Sequence, residues 1–127
     1  MTICLPEPVL RWDRQVALWV TEADVCCMWQ GIFINVPAGF YTDLATITWP
    51  IIGIPGASRY GDHNRACVIH DWVYLHKGYV NDDVQMTRRE ADRLFYDLMR
   101  EDGVDLWKAW TMWAAVRVSP TNWDMWR

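Results

Sequence analysis

No stretch of this chain approaches the roughly 20 consecutive apolar residues that a membrane-spanning helix needs. Near the N-terminus, Glu7, Arg11, Asp13 and Arg14 stand where a secretion signal requires an apolar run. The expectation is therefore a protein without a transmembrane segment, made and kept in the cytoplasm. Clustered basic residues are scarce too. The chain has 12 Lys and Arg against 16 Asp and Glu, for a net charge of -4, and Arg88-Arg89 is the one adjacent basic pair. Wrapping nucleic acid requires clustered cations against phosphate, so no nucleic-acid partner is expected. Cysteine is limited to Cys4, Cys26, Cys27 and Cys67. Their irregular spacing lacks a C-x-x-C pair, which argues against a disulfide framework, a zinc site or a redox motif and favours buried thiols.

What is present suffices for a core. At 127 residues, 52% of them apolar, the chain reads as a single domain over residues 1–127. Ten tryptophans are unusual for this size. Each buries on the order of 150 to 250 Å², so some are expected at the surface, where an indole patch meets a partner or lipid.

The chain divides by pattern. Residues from about 14 to 47 are strand-rich: period-two alternation runs from Arg14 to Thr21, further strands run through Val25 to Trp29 and Ile32 to Val36, and Phe40 to Ile47 continues the sheet. Gly31 and Pro37-Ala38-Gly39 punctuate these runs as turns of an antiparallel meander. Residues 48–61 form a Pro- and Gly-rich loop. Helical periodicity follows over 62–118. Asp62 caps a helix from about His63 to His76 that stops at Gly78, and Thr87 with Glu90 forms a capping box. The helix behind that box carries the stripe Ala91, Leu94, Phe95, Leu98 and Met99 up to Gly103. Asp105 opens a third helix in which Leu106, Trp110, Trp113 and Ala114 are candidates for packing, and Trp107, Trp110 and Trp113 read as core. Residues 119–127 read as an irregular tail whose Trp123 and Trp126 dock on this domain or on another chain. Strands followed by helices predict an α+β fold: a small N-terminal antiparallel sheet, then about three packed helices.

Three ionisable groups stand where an amphipathic helix does not require them. His70 lies between Ile69 and Val73 and one turn from Ala66 and Tyr74, which places its ring near the buried face. Asp71 follows about 100 degrees around the helix. Asp92 sits one turn before Phe95 and Tyr96 on the next helix, and antiparallel packing of the pair brings it to His70. A carboxylate there fixes the tautomer of the imidazole. Three uses remain open. His70 acts as general base with Asp92 orienting it and Asp71 holding a metal; or His70, Asp71 and Asp92 all ligate a divalent ion with Asp43 as a fourth ligand; or the His-Asp pair only ties two helices together. Thr42-Asp43 is a strand-end cap or part of the same site. His63 and His76 read as solvated or capping residues near helix ends.

The segments Val36-Pro37-Ala38-Gly39-Phe40-Tyr41-Thr42-Asp43-Leu44-Ala45-Thr46-Ile47, Arg65-Ala66-Cys67-Val68-Ile69-His70-Asp71-Trp72-Val73-Tyr74 and Arg89-Glu90-Ala91-Asp92-Arg93-Leu94-Phe95 occur here in that order, with a weaker extension to Ala115-Val116-Arg117. Together they resemble a family of small phage and prophage proteins known as domain of unknown function 1353, over roughly residues 14 to 118. The resemblance implies a phage origin, hence a host cytoplasm or a virion as the location. Locally, His-Asp-x-x-Tyr followed by Ala-Asp on the next helix is similar to the phospholipase A2 helix pair, especially its disulfide-poor viral form. By that likeness His70 is the general base, Asp71 binds calcium, and Asp92 and Tyr74 hold the His; no clear calcium loop precedes the helix, although Gly53-Ile54-Pro55-Gly56 offers carbonyls.

The expectation is thus a phage-encoded, hydrolase-like protein. Its metal-assisted site has His70, Asp92 and Tyr74 as catalytic residues, and Asp71 and Asp43 as ligands of calcium or zinc. The expected substrate is an ester or phospholipid. The alternative is a non-enzymatic virion or tail component, or an inhibitor of a host protein, that meets its partner through exposed tryptophan.

Overall fold

Alternation in the N-terminal part produces two small antiparallel sheets instead of one meander. The computed structural model describes residues 8–42 and 64–118. Strands β1 (Leu10–Asp13), β2 (Leu18–Thr21) and β5 (Tyr41–Thr42) form one sheet in the order β1-β2-β5, and β3 (Val25–Trp29) with β4 (Ile32–Val36) forms the other. The single strand expected from Arg14 to Thr21 is corrected to the end of a hairpin. Its alternation holds only from Leu18. The Asp13 side chain accepts the Gln15 amide at 3.0 Å and Ala17 adopts a left-handed φ of 56°, which turns the chain before β2 begins. Register pairs Trp12 with Trp19 and Val20 with Tyr41. In the second hairpin Gln30 and Gly31 both have positive φ, as a two-residue turn matched to strand twist requires.

Three helices follow, giving the α+β order read from the pattern: α1 (Asn64–Leu75), α2 (Arg88–Glu101) and α3 (Leu106–Val118). Helix α1 ends where Gly78 donates to the Val73 carbonyl and Lys77 to that of Tyr74, closing the last turn through two residues of positive φ. The capping box is present: Thr87 accepts from the Glu90 amide and Glu90 accepts from the Thr87 amide. Val25, Cys27, Trp29, Ile34 and Val36 point from β3 and β4 into a core completed by Ala66, Ile69 and Val73 of α1, the whole apolar stripe of α2, and Ala109, Met112 and Val116 of α3. Trp29 also donates its indole N–H to Asp97 of α2 at 2.8 Å, and Arg65 forms a bidentate pair with Asp102 at 2.8 and 2.9 Å. These two contacts lock the sheet and the start of α1 onto α2.

Two further expectations are corrected. Helix α3 does not pack through Leu106, Trp107 and Trp110, which are exposed; Trp113 is half-buried, and the smaller Ala109, Met112, Ala115 and Val116 face inward. Because this helix is apolar all round, periodicity could not choose its face. Cys27 and Cys67 are buried thiols, but Cys26, fully buried on β3, is disulfide-bonded to a partner outside the described residues. Also outside them lie the 48–61 loop, Asp43, Asp62, His63 and the 119–127 tail. Among the described residues no helix is long and apolar enough to cross a membrane.

Candidate functional site

His70 and Tyr74 are one turn apart on α1 and face α2, where Asp92 shares the buried side of the helix with Ala91 and Phe95. His70 is 4% exposed and Asp92 is fully enclosed at 0%. A carboxylate with no access to water needs strong partners, and Asp92 has three. Its Oδ1 meets His70 Nε2 at 2.8 Å and also accepts the Tyr74 hydroxyl, while its Oδ2 accepts from Arg117 of α3 at 2.8 Å. Arg88 Nε in turn donates to the Tyr74 hydroxyl at 3.2 Å, and its terminal nitrogen donates to the Val116 carbonyl at 3.1 Å. One carboxylate thus gathers groups from all three helices. The imidazole is further seated by rings, 4.6 Å from Phe95 in a stacked arrangement and 4.2 Å from Tyr74.

The electrostatics assign the protons. Burial alone pushes the Asp92 carboxyl up, but the hydrogen bond from His70, the charge that ring carries whenever it is protonated, the Tyr74 hydroxyl and the Arg117 guanidinium outweigh it and hold the group below the ordinary carboxylate value. Asp92 is therefore an ion at neutral pH and can only accept. Consequently His70 Nε2 carries the hydrogen it donates, and in the neutral ring Nδ1 holds the lone pair. Burial, with the adjacent Asp92 charge, drives the Tyr74 phenol upward, so it remains a donor. Burial likewise lifts the Cys27 thiol to about 11, which removes it as a thiolate nucleophile at neutral pH.

Asp71 is half-buried on the adjoining face of α1 and accepts the Thr42 hydroxyl at 2.6 Å. The end of β5 thus reaches α1 beside His70. Among the described residues no group of three His, Cys, Asp or Glu is placed to hold a metal ion. One oxygen of Asp71 is taken by Thr42, and the second ligand expected, Asp43, lies outside the described residues. A separate cavity of about 390 Å³ is lined by Trp72, His76, Tyr79, Val80, Asn81 and Asp82; none of His70, Asp71, Tyr74 and Asp92 lines it. His76 is exposed and its Nδ1 donates to the Trp72 carbonyl at 2.8 Å, a helix-end role.

Sequence reasoning brought together His70, Tyr74 and Asp92 but missed Arg117 and Arg88. The signal was available in principle, because a carboxylate on a buried stripe demands a cation, yet which Arg supplies it depends on how α3 docks.

The family profile described as "Protein of unknown function (DUF1353)" matches residues 19–116, a span that runs from the second residue of β2 through almost all of α3 and contains every residue of the Asp92 cluster except Arg117. No curated protein and no solved structure is found to match the chain. With most of its length matched, the chain belongs to the family described as "Protein of unknown function (DUF1353)".

Proposed function

We propose that this chain is a phage-encoded, hydrolase-like protein in which His70 is the general base for attack of water on an ester or phospholipid carbonyl. The observation that carries this reading is the 2.8 Å bond between His70 Nε2 and an ionised Asp92 that Tyr74 and Arg117 hold in place. That arrangement orients the imidazole and leaves Nδ1 as the basic atom. In the reaction Nδ1 takes a proton from water as the oxygen bonds to the carbonyl carbon. The tetrahedral adduct then collapses, the C–O bond to the leaving group breaks, and His70 returns the proton to the departing alkoxide. Asp92 stabilises the imidazolium formed in between; Tyr74 and Arg117 act through Asp92 as positioning residues. No step is routed through a metal. Calcium or zinc at Asp71, with Asp43, belongs to the proposal as an addition that experiment decides.

The test measures release from short-chain esters and phospholipids between about pH 6 and 9, with calcium, zinc or chelator. Hydrolysis that falls about 100-fold or more in His70→Gln supports the reading, since that is the usual scale for a positioned base. Wild-type protein that hydrolyses none of these under any condition overturns it.

A second reading is favoured by the burial of the same groups. Asp92 is inaccessible and joins three helices, as a purely structural clamp does. In that case the chain is a virion or tail component, or an inhibitor of a host protein. His70→Gln then lowers stability by about 1 kcal/mol or more with no activity to lose.

A further inference from the structure

Helix α3, LWKAWTMWAAVRV, is apolar around its whole circumference and contains no Asp or Glu, in a chain whose net charge is -4. Its inward side is fully used by Ala109, Met112, Ala115 and Val116. The outward side keeps Leu106 at 59%, Trp107 at 51% and Trp110 at 59% exposed, with Trp113 half-buried beside them and Val118 exposed at the end. Elsewhere the large exposed apolar residues lie on short strands and turns, such as Met28 and Phe33, or singly at a helix end, as Leu75 does on α1, and no other described helix concentrates them in this way. A helix hydrophobic on all sides is normally buried or membrane-spanning. At 13 residues, or about 20 Å, α3 is too short to cross a hydrocarbon core of about 30 Å.

The chemistry of the outward side narrows what covers it. Trp107 lies next to Lys108, whose ammonium is 5.6 Å from the indole centroid. The one hydroxyl nearby, on Thr111, is spent on the Trp107 carbonyl at 2.7 Å and asks nothing of a partner. Asp105 lies just before the helix, at its positive end. Indoles with an apolar body and a polar N–H, flanked by leucine and valine, accompanied by a cation and free of acids along the helix, suit the boundary between lipid headgroups and acyl chains. We propose that the outward face of α3 is a lipid-surface docking face with preference for anionic headgroups. It is argued from α3 alone and does not depend on hydrolysis at His70.

The test is flotation of the full chain with vesicles of phosphatidylcholine and of phosphatidylcholine mixed with phosphatidylglycerol. Wild-type protein is expected to float with both and more with the mixture. Trp107→Ser/Trp110→Ser should lower the affinity by about 10-fold or more, a factor equivalent to 1.4 kcal/mol, with an unchanged circular dichroism spectrum and melting transition. Lys108→Glu should reduce binding to the mixed vesicles alone. Met28→Ser is the control for general stickiness and should leave binding unchanged. Wild-type protein that floats with neither vesicle, or a Trp variant that binds as well as wild type, overturns the proposal. So does loss of self-association in the Trp variant without loss of flotation, which assigns the face to a second copy.

Discussion

Helices α2 and α3 pack side by side and are built on opposite plans. In α2, charged residues surround one apolar stripe, and that stripe is what the structure buries, with Asp92 as its lone polar member. In α3, apolar residues occupy every side, and the helix buries Ala109, Met112, Ala115 and Val116 while Trp107 and Trp110 stay outside. The contrast shows when a periodic pattern orients a helix: only polar residues on the far side penalise the wrong rotation. Without them, α3 takes its rotation from a few anchors. Arg117 must reach Asp92, and the Val116 carbonyl must accept Arg88. Small Ala109 and Ala115 then face the core and permit close helix approach.

The largest effect should come from cutting the anchor that couples the two helices. Asp92→Ala leaves Arg117, His70 and Tyr74 facing a hole, and is expected to cost about 3 to 5 kcal/mol in urea unfolding, the scale for removing one member of a buried ion pair. Acid probes the same contact. The Asp92 carboxyl in the folded chain titrates below its ordinary value of 3.8, so between the two values the unfolded chain binds more protons and stability rises with pH. The contribution is complete above about 4 and is lost as pH falls through the lower, folded value. Asp92→Asn should flatten that acid limb; an unchanged limb would mean that Asp92 is not held as an ion.

A smaller effect tests the local signal in α2. Thr87→Ala removes the side chain that accepts the Glu90 amide and should cost about 1 kcal/mol by thermal or urea melts. Indifference to this change would show that α2 is held by packing alone. The smallest effect is expected on the outer side of α3, where Trp110→Ser should stay within about 0.5 kcal/mol despite the size of the deleted ring. A loss of several kcal/mol there would reverse the comparison and mean that the indole is covered.

Much of the site was readable from spacing. His70 and Tyr74 fall on one helical face, and Asp92 sits on the stripe of the next helix, so their meeting follows from two periodicities once those helices pack on each other. The turn at Asp13 was not readable in that way, because alternation through Val16 imitates a strand and only the Asx contact and the left-handed Ala17 break it. Trp29 and Asp97 are separated by 68 positions, and nothing local pairs them.

Composition and periodicity alone establish the α+β order, the capping box at Thr87 and Glu90, the core stripe of α2 and the candidate pair His70 and Asp92, while Tyr74 entered through the likeness to the phospholipase A2 helix pair. Each is a local matter, settled by which side chains repeat on one face or bond within one turn. The splitting of the strands into two sheets, the choice of Arg117 as counter-ion, the reach of Thr42 to Asp71 and the outward turn of the α3 tryptophans were decided only in three dimensions. These depend on contacts between segments far apart in the chain, where burying a charge requires a partner and an all-apolar helix has no preferred face of its own.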